Sequence, residues 1–154
     1  MSDYVDPAER PLPPTALRRL VSWQLSQAGA RSHQLVAGKL AAEGLRKHHH
    51  AVLAALLEFG GMTQAELGRR LGVDRSDMVA IINALEAEHL VRRNPDPEDR
   101  RRNIVVATSE TARVLARTDV LVDEANAELL AELSGAEREQ LYDLLVRITR
   151  MPAR

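Results

Sequence analysis

A mainly α-helical chain with one small β-hairpin is the fold this sequence predicts: a winged helix-turn-helix flanked by long N- and C-terminal helices. Three observations carry the prediction. Within residues 63–90 two apolar stripes of helical period are separated by a turn containing Gly72. After Leu90 the period switches from helical to alternating and β-branched, around a turn rich in proline and aspartate. On both sides of this middle, apolar residues keep a 3, 4, 7 rhythm over long stretches. With 154 residues, one ordinary domain or a small domain with helical arms fits the chain. Aromatic residues make up only 3%, so the core must be aliphatic.

In chain order, residues 1–13 read as a disordered lead-in, because "MSDYVDPAERPLPP" holds acids and four prolines and no apolar run. It lacks the h-region of a signal peptide, and no run of about 18 apolar residues follows, so a cytoplasmic protein is expected. Pro14 opens a long helix with Leu17, Leu20, Val21, Gln24, Leu25, Ala28, Leu35 and Val36 on one face. A second helix, about 46–59, carries Val52, Leu53, Leu56 and Leu57 and stops at Gly60-Gly61, where a left-handed cap costs nothing sterically. Thr63 and Glu66 form a capping box that starts a short helix bearing Leu67 and Leu71, and Gly72 ends it. Asp74 is the N-cap of the next helix, whose buried stripe is Met78, Ile81, Ile82, Leu85 and Leu90. Ala65, Gly72 and Val73 keep the corner between the two helices small.

The runs "VRRN" and "RRNIVVAT", joined by Pro-Asp-Pro-Glu-Asp, pair as the hairpin. Thr108 caps a long helix over about 109–132, with Leu115, Leu121, Val122, Ala125 and Leu129 along one side. "SGAE" at 134–137 is a second capping box, and the last helix carries Leu141, Leu144, Leu145 and Ile148. The outer helices, 14–45 and 109–150, are too apolar on one stripe for the small head at 46–108 to cover. A second copy of the chain is their natural cover, which predicts a homodimer.

Charge alone decides little. The net charge is −1, yet residues 1–50 hold seven basic against four acidic side chains, residues 109–143 three against nine, and residues 63–102 eight of each. Placement therefore matters more than total. The absence of cysteine excludes disulfides and thiol redox chemistry. No nucleophile–base set, glycine-rich phosphate loop or paired-carboxylate signature stands out, so an enzyme is not expected, and neither is a cofactor. Arginines at 100–102 on a wing beside a helix-turn-helix suit phosphates or an adjacent groove of DNA. The competing class is a winged-helix protein–protein interaction module without operator binding, against which the basic wing argues.

The stretch "MTQAELGRRLGVDRSDMVAIINALEAEHLVRRNPDPEDRRRNIVVAT", with the order of elements around it, resembles the MarR family of transcriptional regulators over residues 15 to 150. The resemblance implies a homodimer on a pseudo-palindromic operator, usually a repressor. It also implies release by a small phenolic or aromatic anion in a cleft between dimer region and reading head. By the same resemblance, Asp99 and Arg101 match an Asp-x-Arg of the wing, in which the carboxylate steadies an arginine entering the minor groove, and Arg100 beside it takes a phosphate. A narrow minor groove concentrates negative potential and draws arginine in.

On the recognition helix the buried stripe leaves Arg75, Ser76, Asp77, Val79, Ala80 and Asn83 facing the groove. Arg75 can pair with guanine and Asn83 with adenine, while Val79 and Ala80 can touch thymine methyls. Many members of the family put Thr and Arg where Val79 and Ala80 stand, which shifts the burden to Arg75 and the wing. Asp77 either accepts from cytosine N4 or holds Arg75. Thr63 opens a helix whose N-terminus can meet a phosphate; Arg69 and Arg70 either do similar work or form a solvated face. His48, His49 and His50 fan out about 100° apart on a helix and cannot share one metal from there. A zinc site would need His33 plus one of them, and no metal site is assigned. Trp23, Arg31, His33 and His49 are the candidate ligand pocket, with ordinary core or dimer packing the alternative for Trp23.

Overall fold

The computed structural model describes residues 11–151. Their elements are α1 (Thr15–Arg18), α2 (Val21–Ala41), α3 (Lys47–Phe59), α4 (Gln64–Leu71), α5 (Arg75–Ala87), β1 (Val91–Pro95), β2 (Asn103–Ala107), α6 (Ser109–Leu129) and α7 (Gly135–Thr149). The expected lead-in lies outside the described residues except for positions 11–13, which precede α1 without regular structure.

The single helix expected from Pro14 is broken. Leu20 is extended (φ −83°, ψ 125°), and its N–H closes a tight turn onto the Leu17 carbonyl at 2.9 Å. The Gln24 side chain donates to the Arg18 carbonyl at 2.7 Å, satisfying an acceptor the interrupted helix leaves open. At its other end α2 stops at Ala41, before residue 45. Gly44 adopts φ +67°, and the Leu45 N–H reaches back to the Leu40 carbonyl at 3.1 Å. Gly60 also departs from expectation. Its φ of 81° comes with ψ −170°, so it ends α3 in an extended form and not a left-handed helical one. The chain needs that exit because Gly61 lies against β2, where a Cβ would stand 2.7 Å from Val106 Cγ1.

The buried core centres on the head, to which Leu40 of α2 and Leu45 are added. Val52, Leu53, Ala55 and Leu56 of α3 pack with Leu67 of α4, with Met78, Ile81, Ile82 and Leu85 of α5, and with Leu90, Val91 and Val105. Val114 of α6 joins them. The hairpin is antiparallel, pairing Val91 with Ala107 and Pro95 with Asn103. Met62 extends it, exchanging two hydrogen bonds with Val105 at 3.1 and 2.8 Å.

Helix α6 buries Thr111, Val114, Thr118 and Ala125, whereas Leu115, Leu121, Val122 and Leu129 of the expected stripe are half-buried. The threonines enter the interior because their hydroxyls find acceptors: Thr111 donates to the Leu90 carbonyl, and Thr118 to the Val114 carbonyl at 3.1 Å. Lys39–Glu124, Arg117–Glu43 and His50–Asp119, at 3.1, 3.1 and 2.7 Å, tie α6 to α2, to the following loop and to α3. Helix α7 buries no residue at all. No helix among the described residues is long and apolar enough to cross a membrane.

Candidate nucleic-acid interface

Two caps set the helix-turn-helix. Thr63 and Glu66 close their box: Glu66 accepts from the Thr63 N–H at 2.7 Å and its hydroxyl at 2.8 Å, while the Glu66 N–H donates to Thr63 Oγ1 at 3.2 Å. These bonds, the backbone one first, hold the Glu66 carboxyl below its ordinary range. Thr63 is thus occupied by a carboxylate of its own helix, and a phosphate there would meet only the N–H groups that Thr63 and Glu66 leave free. Asp74 Oδ1 accepts from the N–H groups of Ser76 and Asp77 at 2.9 and 3.0 Å and from Ser76 Oγ at 2.7 Å. The Ser76 hydroxyl proton is engaged inside the protein and leaves only lone pairs outward. Gly72 turns the corner at φ +66°. The tightest contact of the corner is at Gly68, where a Cβ would stand 2.9 Å from the Val73 carbonyl oxygen.

Past its cap, α5 keeps Arg75, Ser76, Asp77, Val79, Ala80 and Asn83 exposed, opposite the buried Met78, Ile81, Ile82 and Leu85. A groove of about 850 Å³ runs between α4, α5 and the wing base, and takes in Gln64, Arg69, Arg75, Val79, Arg102 and Asn103. Arg70 leaves this face: its guanidinium lies 4.0 Å from the centre of the Phe59 ring.

The wing tip is a closed network. Asp96, only 7% exposed, accepts from the Glu98 N–H and from Arg102 NH2, both at 2.9 Å. Asp99 grips Arg101 with both oxygens, at 3.0 Å to Nε and 3.2 Å to NH2, while the Arg101 side chain stays 91% exposed. Arg101 holds the Asp99 carboxyl below its ordinary range, through its side chain first and its backbone N–H second, with Arg102 adding to the effect. Arg100 is exposed beside them.

Arg93, unassigned by the sequence reading, joins the wing to both helices. Its N–H donates to Glu86 Oε1 at 3.0 Å and its guanidinium pairs with Glu86; its Nε donates to Gln64 Oε1 at 3.1 Å and its NH2 to Asn83 Oδ1 at 2.7 Å. One lone pair of the Asn83 carbonyl is therefore taken by Arg93, which turns the oxygen side of the amide towards the wing. Arg93 was missed because its partners lie 7, 10 and 29 positions away. No local pattern marks it.

The residues offered as a ligand pocket do not come together. His49 is buried at the start of α3, where its Nδ1 accepts from the Arg46 N–H at 3.4 Å. Burial first, then the nearby charges of Arg46 and His48, lower its pKa from 6.5. It borders a cleft of about 630 Å³ whose walls are Arg46, His48, Asp77, Ala80, Ile81, Ala84 and Glu88. Trp23, Arg31 and His33 do not line that cleft. They sit on α2, the last two exposed. No cluster of three or more potential metal ligands occurs among the described residues.

Residues 43–102 match the family model described as MarR family. The chain is 32% identical over 136 residues to a putative transcriptional regulatory protein for the hcr operon of Thauera aromatica, covering 81% of this chain and 82% of that one. It is 29% identical over 147 residues to the transcriptional repressor NicR of Pseudomonas putida, covering 94% and 93%. Among solved structures, CouR bound to a 23-mer DNA duplex superposes with a TM-score of 0.82 at 29% identity, over 91% of this chain and 99% of that one. A CouR structure from Rhodococcus jostii RHA1, bound to p-coumaroyl-CoA, superposes at 0.74, also at 29% identity, over 92% and 99%.

Proposed function

The chain belongs to the MarR family of transcriptional regulators, and from that premise we propose that it is a homodimeric repressor that reads a pseudo-palindromic operator. Residues 46–108 form the reading head, and residues 14–45 and 109–150 pair with a second copy. The dimer acts in the cytoplasm by occupying a promoter, with no catalytic step. The observation that carries this reading is the Asp99–Arg101 pair. An arginine held in a fixed pose at the end of a hairpin, yet 91% exposed, is built to enter something outside the chain. Beside it, the exposed polar face of α5 supplies Arg75 and Asn83 for base edges. Arg100, the helix N-terminus after Thr63, and Arg69 supply phosphate contacts. The known DNA-bound structure of CouR has the same fold.

Replacing Arg101 with Ala tests the reading. Binding to the DNA upstream of the gene, measured against a scrambled duplex of equal length, should weaken by about 1–3 kcal/mol. The melting temperature should stay unchanged, since the lost ion pair is exposed. Equal binding by the variant and the parent would sink the operator reading and favour a protein-binding wing.

The cleft between the start of α3 and α5 is our candidate effector site. Its volume of about 630 Å³ suits a small aromatic acid, with Arg46 for the carboxylate and Ala80, Ile81 and Ala84 for the ring. Because α5 forms one wall, a ligand that prefers a different separation of α3 and α5 would shift the recognition helix.

A further inference from the structure

The hydrogen bonding of Asn83 narrows what it can read, and this inference rests on the operator reading above. A guanidinium has five N–H donors and no acceptor, so the amide end that meets it must be the oxygen. Asn83 presents Oδ1 to Arg93 at 2.7 Å, and Gln64 presents Oε1 to the same guanidinium at 3.1 Å. Each amide consequently turns its NH2 away from Arg93. Arg93 cannot easily swing off to DNA itself, because Glu86 binds both its backbone N–H and its guanidinium, and its side chain is only 22% exposed.

In the major groove adenine offers the N6 donor beside the N7 acceptor, and an asparagine needs both its oxygen and its NH2 to match them. Guanine offers O6 and N7, both acceptors. An amide whose oxygen is held towards Arg93 leads with its NH2, which fits the guanine edge and aims no acceptor at adenine N6. We propose that Arg93 is a positioning residue that fixes Asn83 as a hydrogen-bond donor, so that Asn83 reads guanine and not adenine. Gln64, at the first position of α4 and on the groove with Arg69 and Arg75, receives the same polarity and offers its NH2 to a phosphate.

The test is selection from a randomised duplex pool, followed by the base preference at each position, for the parent chain and three variants. In the parent, one position per half-site should favour guanine over adenine by roughly tenfold or more. Asn83→Ala should flatten that position and leave the others. Asn83→Asp keeps the shape and an oxygen for Arg93 but has no donor, so the guanine preference should vanish while the melting temperature holds. Arg93→Met frees the amide oxygen, and adenine should rise to rival guanine at that position alone. Adenine favoured by the parent at the position that Asn83→Ala flattens would overturn the proposal, and so would a profile that Asn83→Ala leaves intact. Should Arg93→Met fail to fold, Arg93→Lys takes its place: a single ammonium kept by Glu86 leaves the Asn83 oxygen free, and an unchanged guanine preference there would overturn the positioning role. A parent chain that enriches no sequence refutes the operator reading, and this inference with it.

Discussion

Arg100, Arg101 and Arg102 are neighbours in sequence with separate roles. Arg102 partners the buried Asp96 and so holds the hairpin together, whereas Arg101 is steadied by Asp99 and left outside. Strain lies elsewhere, at His89 and, past α7, at Arg150. His89 adopts φ +58° just after α5, where the Leu90 N–H reaches back to the Leu85 carbonyl at 2.9 Å. This is the left-handed closing turn that glycine fills without steric cost. His89→Gly should therefore stabilise the fold by about 1 kcal/mol, read as a higher midpoint in urea. A lower midpoint would mean that the imidazole makes a contact outweighing the strain. Single-residue signals were legible in the sequence where they act locally: Thr63, Asp74, Thr108 and Ser134 all cap the helices they were assigned to. The clamp of Arg93 was not, since it depends on which residues the fold makes adjacent.

Among the elements, α3 carries in its first turn a histidine, His49, whose acceptance of the Arg46 N–H requires a bare Nδ1. The His49 pKa is lowered from 6.5, so the unfolded chain takes up a proton first. Stability from this group is complete above pH 6.5, falls as pH drops from there through the lowered folded value, and then levels off. Glu66, Asp74, Asp99 and Glu137 also have lowered values, from 4.5 for the glutamates and 3.8 for the aspartates. Their contribution is complete above those ordinary values and is lost as pH falls through the lowered ones. The melting temperature should thus descend twice, once below about pH 6.5 and again below about pH 4.5. His49→Gln keeps an acceptor for Arg46 and should erase only the first descent; if both persist, His49 is not its source. Element boundaries were less legible than caps. Nothing around Arg19 and Leu20 breaks the helical rhythm, because that break is made by the Gln24 side chain and a turn. On α6 an apolar count picked Leu115 and Leu129, while the interior took Thr111 and Thr118, whose hydroxyls the fold satisfies.

Across the whole molecule, most of the core lies in the head, while Leu20, Val21, Leu144 and Ile148 on the arms are exposed. Pairing of two chains would cover them, so Ile148→Glu should shift sedimentation equilibrium towards monomer while the head still melts cooperatively. An unchanged dimer would put the interface elsewhere. The arms were legible as needing cover from their period alone, though which stripe faces the head was not. The paired wing tip has a last consequence, for how the protein finds its site. Residues 96–102 carry three carboxylates and three arginines, and Asp96 and Asp99 each sit on an arginine. Such a tip is nearly neutral when viewed from beyond a Debye length of about 8 Å. Its wings exert little pull on a distant duplex, so encounter should proceed nearer the unsteered rate of about 10⁵–10⁶ M⁻¹s⁻¹ than the diffusion limit. The arginine declares itself only on contact, so raising the salt concentration should slow the wing's encounter with a duplex very little.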